Sequence, residues 1–207
     1  MLYYLITGVL FGLAAGFSPG PLLALVIFET LEHGIGSGIK VAVAPIITDI
    51  PIIVITLFVF TQLSGFESLL GIISLMGGCY VLYMGYQSIR LNSLDTNQTK
   101  TKPKSLTKGI LTNAVSPHPY LFWISVGAPT VTKSLGTNIV APFLFIGAFY
   151  TLLVGSKVVL AILVGKSKSI MSDNVYSYTM KFLGLALLAF SVVLFVDGLK
   201  LLGVFKA

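Results

Sequence analysis

Six apolar runs, at residues 2–28, 39–61, 67–90, 108–131, 138–164 and 177–202, take up most of this chain. Each lies near the ~20 residues that a helix needs to cross the hydrocarbon core of a bilayer. Charged residues are only 10% of the 207, against about 25% in a soluble domain, so too few remain to cover a water-exposed surface. The expectation is an all-α integral membrane protein with six transmembrane helices in a lipid bilayer. The N-terminus, MLYYLITGVL, has no basic residue ahead of its apolar core, so it reads as the first span and not as a cleaved signal.

Two of the six runs carry an interruption that a spanning helix ought not to have. Gly16-Phe17-Ser18-Pro19-Gly20-Pro21 breaks the first, and Asn113-Ala114-Val115-Ser116-Pro117-His118-Pro119 breaks the fourth. A proline lacks the amide proton and clashes with the preceding turn, so each copy must end or start a helix. The Pro-x-Pro spacing of Pro19 and Pro21 recurs at Pro117 and Pro119. Ser18 and Ser116 read as N-caps, with Pro19 and Pro117 at the first helical position. A helix that starts inside the membrane offers free N–H groups and a positive dipole end, which suit a carboxylate. Gly20 would let a ligand come close to the backbone. Ser18, Pro19, Gly20, Pro21, Asn113, Ser116, Pro117 and His118 are therefore the candidate substrate-binding residues.

The longest polar segment is LNSLDTNQTKTKPKSLTK, from Leu91 to Lys108. It divides the chain into residues 1–90, a basic linker at 91–107, and residues 108–207. Each outer part holds three runs and opens on the Ser-Pro-x-Pro element. An odd number of spans per half would place the halves in opposite senses, giving two inverted three-helix repeats with broken first and fourth helices. The net charge of +6 comes from basic residues that cluster between apolar runs, a topology signal and not a nucleic-acid surface. With the N-terminus outside, Lys40, Arg90, Lys100, Lys102, Lys104, Lys108, Lys166, Lys168 and Lys181 lie inside, while Lys133, Lys200 and Lys206 lie outside. That distribution makes the linker cytoplasmic and puts both termini outside.

Ionisable groups within a membrane are costly and are candidates for function. Asp49, flanked by Pro45 and Pro51 in a second span that should kink, fits a proton or cation relay or a partner for a substrate amine. The plainer reading is a buried structural carboxylate. Thr56 lies seven residues on, on the same face. Lys157, deep in the fifth span, could pair with Asp49, bind a substrate carboxylate, or snorkel. His118 could carry protons or only fill a turn, since Gly20 stands at the matching place. Gly8, Gly12 and Gly16 read as a helix-packing face. Tyr80, Tyr83 and Gln87 read as packing or interface anchors, and Glu29, Glu32 and His33 as solvated residues.

No Gly-x-x-x-x-Gly-Lys-[Ser/Thr] loop is present, so nucleotide hydrolysis is not built in. Ser18 and Ser116 lack the His and Asp partners of a hydrolase. The lone cysteine, Cys79, supports neither a disulfide within the chain nor a thiol metal site. The expectation is a transporter and not an enzyme, with no cofactor and no bound metal, driven by an ion gradient or by exchange.

Taken together, Gly12 to Pro21, the Gly34, Gly36, Gly38 loop, Asp49, the Gly77-Gly78-Cys79-Tyr80-Val81-Leu82-Tyr83-Met84-Gly85 segment and Asn113 to Pro119 resemble the LysE/RhtB amino-acid exporters. The chain differs from the usual family pattern at Thr48, where glycine is common, and at Ser116-Pro117-His118, where Asn-Pro-Lys is common. The resemblance implies export of amino acids or close derivatives across the cytoplasmic membrane, coupled to protons, in a protein that forms homo-oligomers. It points to Pro19, Gly20, Pro21 and Asp49 first. The wider superfamily also suggests a cation or heavy-metal exporter, and a non-transporting membrane scaffold is a third reading.

Overall fold

A computed structural model describes residues 1–59, 66–90, 103–168 and 172–204, and among them there is helix and no strand. The helices are α1 (Leu2–Phe17), α2 (Pro21–His33), α3 (Ile35–Ala42), α4 (Ala44–Val59), α5 (Phe66–Arg90), α6 (Ser105–Ala114) and α7 (Pro117–Phe122). A π-helical turn (Trp123–Gly127) then leads into α8 (Ala128–Leu135), α9 (Val140–Lys168) and α10 (Asp173–Leu201). Among the described residues, Ile35–Thr56, Val140–Lys168 and Asn174–Leu201 are long and apolar enough to cross a membrane. The pair α1 and α2 makes a fourth such span, bent by 61° at its break. The expected third span corresponds to α5, and the expected fourth to the short helices α6 to α8.

Several details differ from the sequence expectations. The second span parts at Val43, between α3 and α4, while Pro51 stays inside α4. The glycines expected in a loop lie elsewhere: Gly36 and Gly38 are within α3, and Gly34 alone is the turn. At φ 89 Gly34 adopts the left-handed backbone that favours glycine, and its N–H returns to the Thr30 carbonyl. Residues 91–102 of the linker lie outside the described residues. Its last stretch is already helix, because α6 begins at Ser105.

Two helix pairs carry the packing, and small residues set both. Along α1, a Cβ on Gly8 would sit 2.5 Å from the Phe145 carbonyl oxygen, and one on Gly12 2.5 Å from that of Phe149. A Cβ on Gly16 would overlap the Ser156 hydroxyl. The partner number rises with the α1 number, so α1 and α9 run parallel.

The other pair is α5 with α10. Gly71 faces Gly198, Ser191 Oγ donates to the Gly78 carbonyl at 3.0 Å, and Gly85 faces Gly184. Here the numbers run in opposite directions, so the helices are antiparallel, with small residues seven apart on each. Ser74 and Ser88 reinforce the seam by donating to the Leu194 and Met180 carbonyls at 2.7 and 2.9 Å. Large side chains such as Leu10, Phe143 and Phe182 point outward and are mostly exposed. A small-residue interior under a large apolar exterior is the arrangement that suits lipid, where close backbone approach and not hydrophobic exclusion holds helices together.

Gly147, also on α9, has nothing within 4 Å of the place a Cβ would occupy. Gly12→Val should therefore lower the stability of the purified protein in detergent, by about 1–3 kcal/mol from overpacking. Gly147→Ala should leave stability unchanged or raise it by up to about 1 kcal/mol from helix propensity. Equal effects of the two substitutions in a denaturant or thermal unfolding measurement would contradict this packing.

Candidate functional site between two broken helices

Pro19 has no amide proton, so the Ala15 carbonyl, four residues earlier, cannot receive its usual helical bond. The ammonium of Lys157, on α9, donates to that carbonyl at 3.0 Å and to the Gly16 carbonyl at 2.9 Å. Lys157 is buried, 3% exposed, and so places its charge on the negative C-terminal end of α1. No ion pair joins it to Asp49 among the described residues. Two of its three donors are already engaged by backbone.

The two breaks are not alike. In the first, α2 begins at Pro21 with Gly20 as its N-cap, where the sequence predicts Pro19 and Ser18 in those roles. Ser18 instead follows the end of α1. In the second, Ser116 is the N-cap and Pro117 the first helical residue, as expected. The difference lies in the residue before the second proline. Proline pushes its predecessor out of the α region, and Gly20 takes an extended backbone, φ −178. His118 stays helical, its Nδ1 3.2 Å from the Ser116 hydroxyl. Tyr120 donates to the freed Ala114 carbonyl at 2.8 Å, the counterpart of what Lys157 does at the first break.

Asp49, 4% exposed, projects from α4 between these breaks. Asn113 Nδ2 donates to its Oδ1 at 2.8 Å, the Tyr150 hydroxyl to its Oδ2 at 3.0 Å, and the Thr48 hydroxyl to Oδ1 at 3.3 Å. Asn113 Nδ2 also lies 2.7 Å from Thr48 Oγ1. Thr48 thus gives this chain a contact to the second half that a glycine there could not make. The Trp123 ring stacks over Tyr150 with centroids 6.3 Å apart. Its buried indole N–H has no hydrogen-bond partner among the described residues. Room for the indole comes from Gly127, where a Cβ would overlap the ring. A π turn re-aims side chains in this way at many functional sites.

These groups surround one cavity of about 410 Å³. Ser18, Pro19, Gly20, Pro21, Asp49, Asn113, Ser116, His118 and Lys157 all line it. Pro117 is buried and does not. Leu22 and Leu23 also line it, and as residues of the first turn of α2 their N–H groups have no acceptor within the helix. Thr56 is buried and bonded to the Ile53 carbonyl away from the cavity. Tyr80 packs against the core, and Gln87 donates to the Tyr83 hydroxyl on the exposed side of α5. Sequence reasoning missed Tyr150, Trp123 and Thr48. None stands out by spacing, and only Trp123, the single tryptophan, carries a compositional flag.

A second polar cluster corrects another expectation. Glu29 is not solvated: it is fully buried in α2 and joined to α6. The Ser105 hydroxyl donates to its Oε2 at 2.6 Å and the Lys108 ammonium to its Oε1 at 2.6 Å. A cation and a hydroxyl from α6 thus supply the partners that this buried carboxylate needs. Glu32 and His33 beside it form a partly exposed pair, 3.5 Å apart.

Lys157→Met should leave the Ala15 and Gly16 carbonyls buried without donors, at about 1–3 kcal/mol for each group left unsatisfied. Unfolding of the purified variant in detergent should show that loss. Unchanged stability would mean that Lys157 does not hold the end of α1.

No curated protein and no solved structure matches the chain. A family model, LysE type translocator, matches residues 13–198, a span that runs from before the first break to near the end of α10. The chain is a multi-pass membrane protein and belongs to the LysE type translocator family.

Proposed function

We propose that this protein exports amino acids or closely related zwitterions across the cytoplasmic membrane in exchange for protons. The carrying observation is the Asp49 carboxylate, buried between two broken helices and bonded by Asn113 from the other half. The family supports membrane translocation as the activity. In this reading the substrate carboxylate meets the first-turn N–H groups of α2 and the remaining donor of Lys157. The substrate ammonium, or a proton in its place, meets Asp49. Substrate-binding roles fall to Ser18, Pro19, Gly20, Pro21, Asn113, Ser116, Pro117 and His118, with Pro117 acting by starting α7 and not by contact.

Alternating access would come from two three-helix repeats, residues 1–90 and 108–207, moving against each other across the cytoplasmic linker. The directions of the helix pairs favour this. Six alternating spans require the first and fifth to be parallel and the third and sixth antiparallel, as α1 with α9 and α5 with α10 are. Six spans put both termini on one side, the distribution of lysine and arginine makes that side the outside, and lipid meets the apolar exterior. Homo-oligomers would use part of that same exterior. Divalent-cation export is less well supported, because one carboxylate in the cavity supplies few of the six or more oxygen ligands a hard cation takes.

Export from loaded vesicles under an imposed pH gradient tests the reading. Asp49→Asn should remove gradient-driven export while the protein still folds, since the amide keeps the carboxylate's shape. Gly20→Ala is the sharper test of location. Its backbone is fully extended and nothing lies within 4 Å of the added Cβ, so folding should be unaffected. Substrate affinity should nonetheless fall, because the methyl group would stand at the start of α2. Wild-type transport by both variants would remove this cavity from the mechanism.

A further inference from the structure

Apolar and ionisable side chains share the lining of the cavity, and one helix supplies both kinds. Phe149, Leu153 and Lys157 recur every four residues on α9 and all line the cavity. One face therefore runs from an aromatic ring to an ammonium over two turns, about 12 Å of rise. Phe122 stacks on Phe149 with centroids 4.8 Å apart and rings nearly parallel, at 10°. Phe190 and Val193 of α10 add apolar surface to the lining, Val193 with about half of its surface exposed. At about 410 Å³, the space is at the small end of the roughly 300–1,000 Å³ usual for ligand sites.

The charges are equally restrictive. Besides His118, the ionisable residues lining the cavity are one carboxylate, Asp49, and one ammonium, Lys157. A zwitterion with a neutral side chain brings one of each sign and leaves no charge over. A lysine or arginine substrate brings a second cation, and the aromatic and aliphatic wall offers it no acceptor. Burying an unpaired charge there is strongly unfavourable. A glycine or serine substrate would leave the wall uncovered and forgo the transfer of apolar surface out of water.

Building on the amino-acid export proposed above, we infer that the cavity selects amino acids with apolar side chains, of the leucine and phenylalanine class. The side chain lies against apolar residues among Phe122, Phe149, Leu153, Phe190 and Val193, the α-ammonium meets Asp49 and the α-carboxylate meets Lys157. Cationic amino acids are rejected.

Export of labelled leucine, phenylalanine, glycine and lysine from the same loaded vesicles tests this directly. Leucine and phenylalanine should exceed lysine and glycine by about tenfold or more, the low end of what a pocket achieves for one or two methylene groups. Val193→Asp, which adds a carboxylate to the apolar part of the lining, should raise lysine export relative to leucine at least several-fold. If that variant does not fold, the wild-type ranking decides alone. Lysine moving as well as leucine would overturn the inference while leaving amino-acid export intact. Movement of no amino acid at all would overturn both.

Discussion

In water, a carbonyl that loses its helical donor finds a solvent molecule. In a membrane it does not, and the group then costs several kcal/mol. The Ala15 carbonyl is in that position because of Pro19 and the Gly16 carbonyl because α1 ends at Phe17, and the Lys157 ammonium is what makes the break in the first span tolerable. This contact fixes much else. It ties the end of α1 to α9, alongside which α1 already lies through Gly8, Gly12 and Gly16. It also holds a cation at the edge of the cavity, where, in the proposed function, a substrate carboxylate would use the remaining donor. A residue that could have been only a costly buried charge is both a structural cap and a source of positive potential.

The second break is handled with neutral groups. Tyr120 takes the Ala114 carbonyl, Ser116 and His118 hold each other, and Asn113 turns its amide towards Thr48 and Asp49. The site is consequently asymmetric, with a cation at the first break and hydrogen-bonding groups at the second. Asp49 is the element that crosses between them, since its partners come from α6 and α9. Nearby, Glu29 makes a similar bridge from α2 to Ser105 and Lys108 of α6. Any motion of one half against the other must strain these two carboxylate bridges along with the α1–α9 and α5–α10 seams. They are natural points at which substrate or protons could shift the balance between states.

Much of this is legible in the sequence because membrane burial leaves few options. Two Pro-x-Pro elements inside apolar runs have to break their helices, and a carboxylate such as Asp49 has to find partners. The small-residue spacing of Gly8, Gly12 and Gly16 has to accept a neighbour. What sequence does not supply is the identity of partners distant along the chain. Nothing in the order of residues pairs Lys157 with Ala15 and Gly16, or Tyr150 with Asp49, because a helix contact is set by crossing geometry. The N-cap at the first break departs from expectation for a local reason: Gly20 and His118 respond differently to the following proline. Glu29 reads as solvated from its place near a helix end, and only its neighbours on α6 show that it is enclosed.

The proposed transport depends on substrate binding in the space between the two breaks. The most direct measurement is substrate protection of a thiol placed there. Ser18→Cys in a Cys79→Ser background would be labelled in membranes with a small thiol reagent, with and without amino acid. Labelling at position 18 should be steady without substrate, and leucine or phenylalanine should suppress it in proportion to concentration. A control thiol introduced by Phe143→Cys, on the exposed side of α9, should be unaffected. Labelling at position 18 that a transported amino acid leaves unchanged would contradict this placement and send the binding site elsewhere.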